Sequence, residues 1–121
     1  MSTEAQETFI QSLKNVEVEL NEIGFLHTST IKKGYATYIH YKMADNNMQI
    51  LFMYGPSDWN VELSVTKNGR KYEFKDILQI PPILQWIMDN KFQRQTSNNI
   101  KNEVTWFIDL LRFIIKTQAL T

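Results

Sequence analysis

Apolar residues recur at helical spacing near the start of the chain. Phe9, Leu13, Val16, Leu20 and Ile23 follow one another at steps of four, three, four and three, with Ile10 and Val18 on the flanks. That stripe predicts an amphipathic helix over residues 4–23. Thr3 and Gln6 have the spacing of a capping box, and Glu4 and Glu7 sit at the positive end of the helix dipole. Gly24 follows the stripe and can take the left-handed conformation that closes a helix.

The period then changes from helical to alternating. Val61, Leu63 and Val65 alternate with polar residues, and Lys67-Asn68-Gly69-Arg70 follows. Asn-Gly suits a two-residue hairpin turn, which sets Val65 opposite Tyr72 and Leu63 opposite Phe74. A hairpin tip at Asp45-Asn46 pairs Met43 with Met48, Tyr41 with Ile50, Ile39 with Phe52 and Thr37 with Tyr54. A turn over residues 55–58 would pair Tyr54 with Trp59, Phe52 with Val61, Ile50 with Leu63 and Met48 with Val65. These three turns give one continuous apolar face, so the sequence predicts a four-stranded antiparallel meander. Residues 25–31, turned by Lys32-Lys33-Gly34, predict a fifth strand.

Strand alternation sends a second set of side chains to the opposite face. One part of it, with Gln49, Asn60, Glu62, Ser64, Thr66, Lys71, Glu73 and Lys75, is ordinary polar surface. The other part, Tyr38, His40, Leu51 and Met53, is apolar or amphipathic and calls for cover by the chain itself or by a partner.

Beyond the strands, Asp76 predicts the cap of a short turn through Leu78, ended by Pro81-Pro82. A helix over residues 82–90 follows, with Leu84, Ile87 and Met88 on its inner side and Trp86 near its edge. The last helix, capped by Thr96 or Ser97, runs to about residue 118. Its stripe holds Ile100, Val104, Phe107, Ile108, Leu111, Ile114 and Ile115, and Trp106, Leu110 and Phe113 form a second apolar flank. Packing on one sheet needs a narrower arc. Either another helix or a partner therefore meets that flank.

Composition sets the class. The 121 residues carry 13 Lys and Arg against 13 Asp and Glu, with 43% hydrophobic residues and no cysteine. The length suits one domain able to fold without disulfide or metal. The zero net charge divides unevenly: residues 1–24 hold five glutamates and one lysine, and the remainder is basic. No run approaches the roughly 18 apolar residues of a membrane span. The acidic start is unlike a signal peptide, which leads to the expectation of a cytoplasmic protein. Balanced charge makes a nucleic-acid partner unlikely. The cationic residues Lys67, Arg70, Lys71 and Lys75 flank Tyr72, which the register turns into the core and away from any base.

Catalytic signatures are missing. His27 and His40 lack metal-ligand spacing, and the four glycines read as turns or caps. Asp58 beside Trp59 reads as turn chemistry, and Glu62 and Glu73 find cross-strand partners in Lys75 and Ser64. No enzyme activity, cofactor or metal is expected. The chain is broadly similar in style to small toxin-immunity proteins: one α+β domain, soluble and poor in motifs. Type III secretion chaperones also begin with a helix leading into strands, but they interrupt the sheet with a helix that is missing between Ile39 and Phe74.

The reading that follows is an α+β domain with helices packed on a meander sheet, acting as a non-enzymatic protein-binding module of inhibitor or immunity type. The expected contact residues are Tyr38, His40, Leu51, Met53, Trp59, Trp106, Leu110 and Phe113. The alternatives are a homodimeric adaptor resembling a secretion chaperone, and a small-ligand-binding protein with a pocket between sheet and helices lined by Tyr41, Tyr54 and Trp59.

Overall fold

The computed structural model describes residues 4–43, 47–55, 61–90 and 100–120. It has the expected α+β architecture. An N-terminal helical segment leads into a five-stranded antiparallel sheet in the order β1-β2-β3-β4-β5, and helices pack against it. The strands are β1 (Phe25–Lys33), β2 (Ala36–Met43), β3 (Met48–Tyr54), β4 (Val61–Lys67) and β5 (Arg70–Tyr72).

The first stripe forms two helices rather than one, α1 (Glu4–Asn15) and α2 (Glu17–Ile23). Val16 leaves helical geometry at φ −106° and ψ 10°, and its N–H bonds back three residues to the Leu13 carbonyl. Asn15 and β-branched Val16 are poor helix formers, so the stripe bends there. Leu13 and Leu20 are buried on either side of the break. Gly24 closes α2 at φ 118°, donating to the Leu20 and Asn21 carbonyls. The predicted partner of Thr3 also serves the sheet. Gln6 is buried, and its amide donates to the Thr37 hydroxyl on β2 at 3.1 Å. Gln6 lies one turn before Phe9, on the face of α1 that meets the sheet. Thr3 lies outside the described residues.

The β2–β3 register is the expected one, from Met43 opposite Met48 to Thr37 opposite Tyr54. The hairpin tip at Asp45-Asn46 lies outside the described residues. The β3–β4 register differs by two: Tyr54 faces Val61, Phe52 faces Leu63 and Ile50 faces Val65. Six residues, not four, separate the paired ends. An even shift keeps every side chain on its own face, so the same apolar set still lines the core. Strand β1 is longer than predicted, and a bulge between His27 and Ser29 offsets its pairing with β2.

Val65 opposes Tyr72 as expected, but pairing ends there. Phe74 starts a short helix, α3 (Phe74–Ile77), instead of facing Leu63. Glu73 is its cap and Asp76 its third residue, and the Asp76 carboxylate accepts the Glu73 N–H at 2.9 Å. This reciprocal box competes with one more rung of sheet and turns Phe74 toward Phe107, 5.5 Å away between ring centres.

Two longer helices complete the chain, α4 (Pro81–Asp89) and α5 (Ile100–Thr117). The caps proposed for α5, Thr96 and Ser97, lie outside the described residues. Helix α5 fills the core. Val104, Phe107, Ile108, Leu111 and Ile114 are buried with Ile39, Ile50, Phe52 and Leu63 of the sheet, and Phe107 meets Phe52 edge to face. Helix α4 covers its second flank. Trp86 stacks on Phe113 and lies 5.7 Å from Trp106. That contact turns Ile83, Trp86 and Ile87 inward, Ile87 as expected, and leaves Leu84 and Met88 exposed where the sequence placed them inward.

Two substitutions test this packing. Gly24→Ala should cost about 1–2 kcal/mol in urea unfolding, because an added Cβ would occupy left-handed backbone and lie 3.3 Å from the Met43 methyl. Leu110→Ala should cost about 2–5 kcal/mol by the same measurement, since Leu110 is completely enclosed.

Candidate functional site

Strand alternation and one-sided helix packing together create the candidate site. Phe9, Leu20, Phe107 and Leu111 belong to the core layer with the inward residues of the sheet. The outward residues form rows across the strands. One row runs Ile31, Tyr38, Met53, Glu62, and the next runs Ser29, His40, Leu51, Ser64. Tyr38, His40, Leu51 and Met53 are half-buried by one another, and Ile31 at the edge is 48% exposed.

These rows end at a wall. Tyr38, Leu51 and Met53 line an open groove of about 470 Å³, closed on the far side by Glu73, Phe74 and Leu78. Glu62, Lys71 and Lys75 bring charge to its margin. His40 sits beside it with Nδ1 3.1 Å from the Ser29 hydroxyl, a contact that orients the ring along the sheet. The groove is open to solvent on one side and lined by apolar and charged side chains together, as contact surfaces are.

The other sequence-derived contacts resolve differently. Leu110 is fully enclosed, and Trp106 and Phe113 are half-buried against Trp86. The Trp106 indole N–H donates to the Asn90 carbonyl at 2.6 Å. The flank proposed for a partner is thus an internal seam between α4 and α5, and Leu110 is removed from any surface. Trp59 lies outside the described residues.

The space near Tyr41 is small. A cleft of about 100 Å³ is lined by Leu13, Glu17, His27 and Tyr41, well below the roughly 300 Å³ at which ligand pockets begin. Tyr54, the second residue proposed for a pocket, stacks on Phe9 in the core. The cross-strand pairs proposed for Glu62 and Glu73 do not form, because β5 stops at Tyr72. Glu62 faces Met53, and Glu73 lies 3.7 Å from Lys75. Among the described residues no group of three His, Asp or Glu side chains is placed to hold a metal ion. Tyr72 is buried as expected, with the Arg70 guanidinium 4.9 Å from its ring centre. No described helix is long and apolar enough to cross a membrane.

Ile31 stands beside Tyr38, and Phe74 and Leu78 line the groove; the sequence singled out none of the three for the candidate site. Ile31 fell at the end of the least marked strand. Phe74 alternated so well that it was assigned to the core face. The acidic N-terminal segment proves to be partly paired: Glu7 meets Lys32 at 3.1 Å and Glu19 meets Arg112 at 3.6 Å. Both pairs are exposed, so each contributes little to stability.

Comparison with protein families, curated proteins and solved structures finds no match to this chain.

Tyr41 provides a spectroscopic check on the core. Burial, reinforced by the nearby Glu17 carboxylate, pushes its hydroxyl well above its ordinary value of about 10. The folded protein therefore keeps a proton that the unfolded chain releases, and stability falls as pH rises above about 10. Below that pH the effect vanishes. Tyr41→Phe should flatten the alkaline loss of stability, read as the denaturation midpoint against pH.

Proposed function

We propose that this chain is a non-enzymatic protein-binding module of inhibitor or immunity type, which occludes its partner with the outward face of the sheet. The observation that supports it is one-sided packing. The helices share a core with one face, and Tyr38, His40, Leu51 and Met53 stand on the other beside an open groove. Half-buried aromatic and aliphatic side chains framed by charge are the composition of a contact surface. Tyr38 is the aromatic anchor of that set, and Leu51 and Met53 form the apolar floor.

A homodimeric adaptor is the second reading. It is favoured by Leu26 and Ile31, 58% and 48% exposed on the outward face of β1.

Site-specific photocrosslinking in cells that express the protein separates the two. Benzoylphenylalanine placed at Leu51 or Tyr38 should capture a partner chain, whereas the same probe at Thr105 on the exposed side of α5 should not. Leu51→Glu should weaken the captured complex about tenfold or more, equivalent to about 1.4 kcal/mol, with an unchanged circular dichroism spectrum. Capture of a second copy of this chain would favour the adaptor. Equal capture from all three positions, or none from Leu51 and Tyr38, would overturn the assignment of the sheet face.

A further inference from the structure

Resting on the sheet face as the docking surface, we infer that its occupant is an acidic amphipathic helix laid across the strands, with its apolar side on Tyr38, Leu51 and Met53 and its acids on the flanking lysines. Shape and charge support this independently.

Shape comes first. The outward rows run across β1, β2, β3 and β4, perpendicular to the chain direction, with their apolar members Ile31, Tyr38, Leu51 and Met53 on the first three strands and Glu62 and Ser64 on the fourth. Three strand spacings of about 4.8 Å give a track of about 14 Å, the length of roughly ten helical residues. Two adjacent outward rows lie about 7 Å apart along the strands, which a helix of about 10 Å diameter bridges. An extended segment on this face would leave its own backbone donors and acceptors without partners. Such a segment gains main-chain bonds only at a sheet edge. The β1 edge is blunted by the bulge between His27 and Ser29 and by Lys32 and Lys33.

Charge selects the sign. The outward face carries Lys33, Lys42, Lys71 and Lys75 against Glu62 and Glu73. Glu73 is already engaged, capping α3 and lying 3.7 Å from Lys75. Lys33, Lys42 and Lys71 have no ion-pair partner among the described residues, and only Glu62 opposes them. A second copy docked face to face would set these lysines against lysines, a like-charge contact that costs affinity. An acidic helix converts the same residues into attraction and orients on approach.

The test uses labelled synthetic helices of about 18 residues, long enough to hold their structure, with leucine at positions a and d. One carries glutamate on its remaining face, and a second carries lysine there. Fluorescence anisotropy should show the acidic helix binding at least tenfold tighter at low salt, with the preference shrinking as salt is added. Paired Lys42→Glu and Lys71→Glu substitutions should abolish or reverse the preference, and Leu51→Arg should remove binding. Circular dichroism melts of each variant confirm that the fold persists, and the milder pair Lys42→Gln and Lys71→Gln should reduce the preference without reversing it. Equal or tighter binding of the lysine helix would overturn the acidic occupant while leaving the docking face in place. Binding of neither helix, or binding indifferent to Leu51→Arg, would overturn the helix; crosslinking at Leu51 reads the docking face itself separately.

Discussion

Parity of strand register is the constraint on which the rest of this molecule depends. A strand residue belongs to one face or the other, and a slip of one position would exchange the two sets completely. Ile39, Tyr41, Ile50, Phe52, Leu63 and Val65 must all reach the same side for α5 to find a core. With Phe52 meeting Phe107 edge to face, that side is committed. The opposite set, Tyr38, His40, Leu51 and Met53, is then committed to the outside by the same geometry. The core and the candidate site are two consequences of one alternation.

Helix α5 depends on that commitment and extends it. Its apolar arc is too broad for a single sheet face, and the surplus is absorbed within the chain. The sheet and α1 take one side, and α4 takes the other through Trp86, which lies against both Trp106 and Phe113. Enclosing Leu110 between these layers makes α5 a central element instead of a surface one. Among the described residues the sheet has no equivalent second layer. The described helices complete α5, and none of them lies over Tyr38, His40, Leu51 and Met53.

What was legible in the sequence follows from which signals had competitors. The β2–β3 register and the Val65–Tyr72 pair were readable because alternation and turn position agree. The β3–β4 register was not, because connections of four and six residues preserve the same parity and the apolar pattern cannot tell them apart. Phe74 alternated correctly for a strand, but Glu73 and Asp76 supplied capping chemistry at the same place, and local hydrogen bonding won. Gln6 reaches Thr37 because it sits on the buried side of α1, a tertiary contact that local spacing does not reveal. The breadth of the α5 arc was evident and left the first helix, the 82–90 helix or a partner to cover it; the choice of α4 was not legible, because its nine residues carry apolar side chains on more than one side. The outward residues Tyr38, His40, Leu51 and Met53 were named correctly as a group. The wall formed by Phe74 and Leu78 required knowing that β5 stops early.

Charge distribution gives the zero net charge a direction. Five glutamates lie on α1 and α2, in the layer beneath the sheet, where Glu7 and Glu19 pair with Lys32 and Arg112. On the opposite side, Lys33, Lys42 and Lys71 stand around an apolar track. A molecule that is neutral in sum is thus polar across its layers, negative under the helices and positive on the outward face of the sheet. At physiological ionic strength the field of exposed charges fades over about 8 Å, so this polarity acts only at close range. That is the distance at which a partner chooses its orientation, and the apolar rows supply attraction only after the lysines have admitted a surface of the right sign.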